Sequence, residues 1–146
     1  KEAQVTHLKR WTPLLLLRTD IFQRAAPWTR LIIRSHVLPN DLNVKTGSRV
    51  SVVLVGIMGA ALAASVQWRW ALAVAALAAG GLVAVNAGFY GFLWRVRGPG
   101  FMLAALPWHW LYYACAGTGF VIGAAQELLG RPAPAPPVVA AERRNL

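Results

Sequence analysis

A chain of 146 residues with 57% hydrophobic residues and a mean hydropathy of +0.47 is too apolar for an ordinary soluble domain, which makes a bilayer its expected solvent. Fifteen Lys and Arg against five Asp and Glu give a formal charge of +10; that charge flanks apolar runs and follows no nucleic-acid-binding motif, so no nucleic-acid partner is expected. A single cysteine, Cys115, excludes an internal disulfide, and no CxxC or Cys/His spacing suggests a structural metal.

The first stretch, His7 to Arg49, lays Lys9, Arg10, Arg18, Arg24, Arg30, Arg34, Lys45 and Arg49 among leucines, isoleucines and tryptophans, with only Asp20 and Asp41 as acids. Positive charge beside apolar side chains suits a membrane surface with anionic head groups or a lipid-linked phosphate. Two short interfacial helices are expected here. Thr12-Pro13 is an N-cap and first-turn pair, and Pro27 interrupts the pattern after Ala26. In the first helix Leu14, Leu15, Leu17, Ile21 and Phe22 share a side into which Arg18 falls, so Arg18 must snorkel or meet a phosphate. In the second, Arg30 and Arg34 are four residues apart on one face, and Pro39-Asn40-Asp41 ends the segment in a turn.

Three apolar runs follow: Val50 to Gln67, Trp70 to Trp94 and Phe101 to about Leu129. Each is long enough for a hydrocarbon core of roughly 30 Å, which takes about 20 helical residues. Gly56, Ala60 and Ala64 on the first, Gly80, Gly81 and Asn86 on the second, and the Gly119/Gly123 GxxxG spacing on the third offer faces for close helix approach. The link Gln67-Trp68-Arg69 makes the first two spans an antiparallel hairpin, and Arg95, Arg97 and Gly98-Pro99-Gly100 form the next turn on the opposite side. Eight basic residues in the leader and two in the second link face Arg69, Arg131, Arg143 and Arg144 on the other side. The positive-inside rule places the N-terminal segment in the cytoplasm and the C-terminus outside.

The predicted organisation is therefore all-α and integral to a membrane: a basic interfacial segment over 1–49 with two amphipathic helices, three transmembrane helices over 50–129, and a Pro/Ala-rich mobile tail over 130–146. The chain starts at Lys1 with no early h-region, and it reads as the end of something longer or as a processed product.

Chemistry-bearing residues are sparse. Glu2, Asp20, Asp41, Glu127 and Glu142 are scattered one by one, with no carboxylate dyad, and no P-loop, GxGxxG, GxSxG or HExxH occurs. Catalysis by this chain alone is not expected, nor is a cofactor on it. Arg18, Arg24, Arg30 and Arg34 could clamp a phosphate or pyrophosphate, since guanidinium forks suit that task; general attraction to anionic lipid explains them equally well from spacing. His109, between Trp108 and Trp110 and near Tyr112 and Tyr113, has two readings: an axial ligand to a (bacterio)chlorophyll or haem, or a histidine hydrogen-bonded to Asn86, a tyrosine or a carbonyl near head-group level. The aromatic belt and Pro107 favour the second. Asn86 reads as interhelical glue.

His7-Leu8-Lys9-Arg10-Trp11-Thr12, Arg18-Thr19-Asp20-Ile21-Phe22 and Ala26-Pro27-Trp28-Thr29-Arg30-Leu31 resemble the segment that follows the catalytic domain in membrane-bound family 2 glycosyltransferases. Leu38-Pro39-Asn40-Asp41-Leu42-Asn43, Asn86-Ala87-Gly88-Phe89-Tyr90 with Phe92-Leu93, and Pro107-Trp108-His109-Trp110-Leu111-Tyr112-Tyr113 with Gly117 continue the resemblance in order through to Gly130. His7-x-x-Arg10-Trp11 is similar to the QxxRW motif that closes the active site of processive synthases, with His replacing Gln. The resemblance implies that His7, Arg10 and Trp11 face an active site, and that a nucleotide-sugar-binding domain with a divalent metal lies upstream. The role it implies for this chain is membrane anchor and platform for a lipid-linked or membrane-proximal acceptor. The alternative from a different class is a non-catalytic structural subunit of a larger membrane complex, with protein partners and a bound pigment.

Overall fold

The structure, a computed structural model, describes residues 12–38, 40 and 44–130. His7, Arg10 and Trp11, the Pro39 and Asp41 of the expected turn, and the tail beyond Gly130 lie outside the described residues. The fold is all-α, and no strand occurs among the described residues.

Helix α1 (Pro13–Arg18) starts as its sequence predicts: the Thr12 side chain accepts the Leu15 N–H at 3.2 Å, and Pro13, whose missing N–H costs nothing there, opens the first turn. The expected break at Pro27 does not occur. A π-helical stretch (Thr19–Ala25) carries α1 directly into α2 (Ala26–Ser35), so the two predicted interfacial helices form one continuous rod over 13–35. In a regular α-helix the proline ring would clash with the carbonyl four residues back. The turns ahead of Pro27 are wider, with the Ala26 N–H donating to the Ile21 carbonyl five residues back, and they let the ring pass. His36, in the left-handed region at φ 53°, ends the rod.

Helix α3 (Thr46–Ala64) has no capping side chain at its own N-cap, Lys45. Asn40 supplies the cap from six residues upstream: its Oδ1 accepts from the Thr46 N–H at 2.9 Å, the Thr46 hydroxyl at 3.1 Å and Arg49 Nη2 at 3.1 Å. The link over 65–70 turns the chain back into α4 (Ala71–Val85), and α3 and α4 pack antiparallel, with Gly81 close under Leu54. Helix α3 is long and apolar enough to cross a membrane, with a mean hydropathy of 1.7.

Beyond Val85 the geometry departs from a straight second span. Helix α4 and helix α5 (Ala87–Leu128) meet at Asn86 with a bend of 70°; together they are apolar and long enough to cross. Helix α5 is not one rod either. Gly98, at φ 81° and ψ 171°, divides it into arms over 87–97 and 99–128. A straight helix would hold Tyr90 and His109 roughly 28 Å apart at ~1.5 Å per residue, whereas their side chains meet at 2.9 Å, so the arms fold back on one another at the predicted Gly-Pro-Gly turn.

The 13–35 rod lies along the 99–128 arm in the same direction. Pro13, Leu16 and Leu17 lie by Trp108 and Leu111, Ala25 lies on Gly119, Thr29 on Gly123, and Arg30 and Arg34 reach Glu127. The GxxxG pair thus receives the N-terminal rod. A Cβ at Gly119 would come within 3.0 Å of the Ile21 carbonyl oxygen, and one at Gly123 within 2.9 Å of Thr29 Cβ. Gly56 on α3, by contrast, has nothing within 4 Å of a Cβ position, so that small-residue face stays open along a groove of about 450 Å³ against the 99–128 arm.

Candidate functional site

Apart from the Asn40 cap of α3, polar side chains that join helices distant in sequence gather at two places among the described residues. The first is the bend. Asn86 Nδ2 donates to the Ser51 hydroxyl at 2.9 Å and to the Leu82 carbonyl at 2.9 Å, while its Oδ1 accepts from the Tyr113 hydroxyl at 2.8 Å. The Ser51 hydroxyl in turn donates to the Gly47 carbonyl at 2.9 Å. One amide therefore ties α3, the end of α4 and the 99–128 arm together with both its N–H groups and its carbonyl in use, as a buried polar network requires. Its surroundings are closed: Ser51 and Leu82 are 0% exposed, and Val55, Leu82 and Tyr113 form the apolar core beside it. Asn86 is interhelical glue, as its sequence position suggested. Ser51 was not anticipated, because a lone serine in an apolar helix carries no signal of its partner 35 residues away.

One turn along the arm, His109 Nδ1 shares a hydrogen bond with the Tyr90 hydroxyl at 2.9 Å. Phe89 and Tyr113 stand 4.6 and 4.7 Å from its ring centroid, and Tyr112 stacks at 6.4 Å. Of the partners expected for a structural histidine, a tyrosine is the one found. Replacing Tyr90 with phenylalanine should lower stability in detergent by about 0.5–1.5 kcal/mol, the net worth of one such bond. An unchanged thermal unfolding midpoint would show that the pair contributes nothing.

The second place is the far end of the rod. Arg30 Nε donates to one Glu127 oxygen at 3.0 Å, and Arg34 Nε donates to the other at 2.7 Å. The Arg30 side chain is 7% exposed, Glu127 18% and Arg34 50%. Hydrogen bonding to Glu127 and its negative charge raise the Arg34 guanidinium above its ordinary pKa. Glu127 sits in the last turn of its helix, where the helix dipole disfavours an acid. The two guanidiniums account for its being there.

The four arginines proposed as a phosphate clamp are thus distributed as follows. Arg30 and Arg34 converge on Glu127; Arg24 pairs with Asp20 at 2.9 Å, one turn back on the same rod; Arg18 is exposed. Among the described residues no three His, Cys, Asp or Glu side chains come together as a metal site.

Neither a known protein family, a curated protein nor a solved structure matches this chain.

Proposed function

We propose that this chain is the membrane-anchoring and acceptor-positioning C-terminal module of a family 2 glycosyltransferase, serving a nucleotide-sugar donor and a lipid-linked or membrane-proximal acceptor. The observation that carries this reading is the seating of the 13–35 rod along the 99–128 arm. It starts at Thr12, directly after the His7–Trp11 segment that resembles the active-site-closing motif, and so gives whatever precedes it a fixed station beside the membrane helices. The ordered series of resemblances from His7 to Gly130 supports the same reading.

In this proposal the module is a multi-pass element of a bacterial inner membrane, with the chain ahead of the 13–35 rod cytoplasmic, the rod lying alongside the 99–128 arm, and the C-terminus outside. The spans are α3, α4 and the 99–128 arm. Three of the rod's four arginines are matched by carboxylates of this chain, which lowers the cost of holding the rod at membrane depth. The sugar-nucleotide site and its divalent metal belong to the preceding domain.

The test is a transfer assay. Bacterial membranes carrying this chain joined to the coding sequence that precedes Lys1 should move label from a nucleotide sugar to membrane lipid, and Arg10→Ala or Trp11→Ala should bring that transfer to background. A preceding sequence with no nucleotide-sugar domain, or full transfer by both variants, would sink the proposal.

A further inference from the structure

We propose that Arg30 and Arg34 form a phosphate-binding site whose internal occupant is Glu127, so that the carboxylate and an external phosphate compete for the same pair of guanidiniums. The site does not depend on the transferase reading.

The geometry has three parts. Arg30 and Arg34 project one turn apart from the same rod, and each directs its Nε at a separate oxygen of one carboxylate, at 3.0 and 2.7 Å. A phosphate monoester presents oxygens of like charge and greater number to the same donors, and guanidiniums bind such oxyanions in fork geometry. The accessibility is graded: Arg30 is buried and fixes the site, whereas Arg34 is half exposed and opens it to the surroundings. Glu127 stands in the last turn of its helix, where the dipole disfavours an anion, so the two guanidiniums are what hold negative charge at this place.

The other ion pair of the rod lacks these properties. Arg24 and Asp20 are four residues apart on the same helix and bring together a single, exposed guanidinium and a single carboxylate. Among the described residues the Glu127 pairing, across 93 and 97 residues, is the one that gathers two cations of this rod around one anion.

Phosphate can come from a lipid head group or from solution, and the test separates the two. The full chain, purified in detergent, is incubated with phosphatidic acid or phosphatidylcholine, and retained lipid is counted by native mass spectrometry. Glu127→Gln should retain severalfold more phosphatidic acid than the unmodified chain, with no gain for phosphatidylcholine. Arg34→Gln, at a half-exposed position with little folding risk, should retain less than the unmodified chain, and it decides the question even if Glu127→Gln fails to fold. Displacement of phosphatidic acid by excess glycerol 3-phosphate assigns recognition to the phosphate alone; resistance to it assigns the site to membrane lipid. Retention unchanged in Arg34→Gln, or a Glu127→Gln gain that survives addition of Arg34→Gln, would overturn the proposal.

Discussion

Gly123→Leu should lift the 13–35 rod from its seat. At this position even a single Cβ would lie 2.9 Å from Thr29 Cβ and 3.1 Å from Ala26 Cα. The Ala26 contact is with backbone, which cannot rotate aside as a side chain can. Forcing extra methylenes into a close-packed contact costs about 1–3 kcal/mol, and contacts with backbone lie toward the upper end. Because Arg30 and Arg34 reach Glu127 only when the rod is seated, their ion pairs should loosen with it. Limited proteolysis in detergent checks this: cleavage after Arg24 and Arg30 should accelerate severalfold in Gly123→Leu and stay at the unmodified rate in Gly56→Leu, where the added side chain has open space. Equal rates for both variants would mean that the GxxxG face does not hold the rod.

Asn86→Leu should be the most damaging single change at the bend. It removes the acceptor of the Tyr113 hydroxyl and both donors that reach Ser51 and the Leu82 carbonyl, in a place where Tyr113 and Ser51 are buried. Leaving one buried polar group unmatched costs about 1–3 kcal/mol, and here the loss falls chiefly on Tyr113, since Ser51 keeps its bond to Gly47. Tyr113→Phe in the Asn86→Leu background should recover part of the loss by removing the stranded hydroxyl. The double-mutant cycle isolates that coupling; strict additivity would show that the two side chains are energetically independent. A second readout is geometric, since spin labels at Trp68 and Leu128 should report a changed distance if the amide holds the 70° bend.

The parts of this fold that were legible in the sequence are those written in short spacings. Thr12-Pro13 marked the start of the rod, the four-residue interval placed Arg30 and Arg34 on one face, the small residues at 119 and 123 marked a close approach, and Gly98-Pro99-Gly100 marked a reversal. What was not legible depends on partners far along the chain. Nothing near Glu127 announces two arginines more than 90 residues upstream, and by its sequence neighbours it is one more scattered acid. Pro27 misled for a different reason: the rule that proline ends a helix assumes α-helical turns before it, and the π-helical stretch over Thr19–Ala25 removes that assumption. The bend at Asn86 was hidden because apolar composition runs through it unchanged; only the hydrogen bonds to Ser51 and Tyr113 distinguish a corner from a straight span.

The pairing of the rod with the 99–128 arm also sets an order of events during synthesis. The rod's partner surface, from Gly119 to Glu127, is made 93 to 97 residues after the arginines that grip it. At about 5–20 residues per second, the rod waits roughly 5 to 20 s after leaving the ribosome before its seat exists. Throughout that interval Ala26, Thr29 and Arg30, buried in the finished fold, have no surface of this chain to cover them. A chain cut short before Gly119 would therefore leave these rod residues without the surface that buries them in the finished fold.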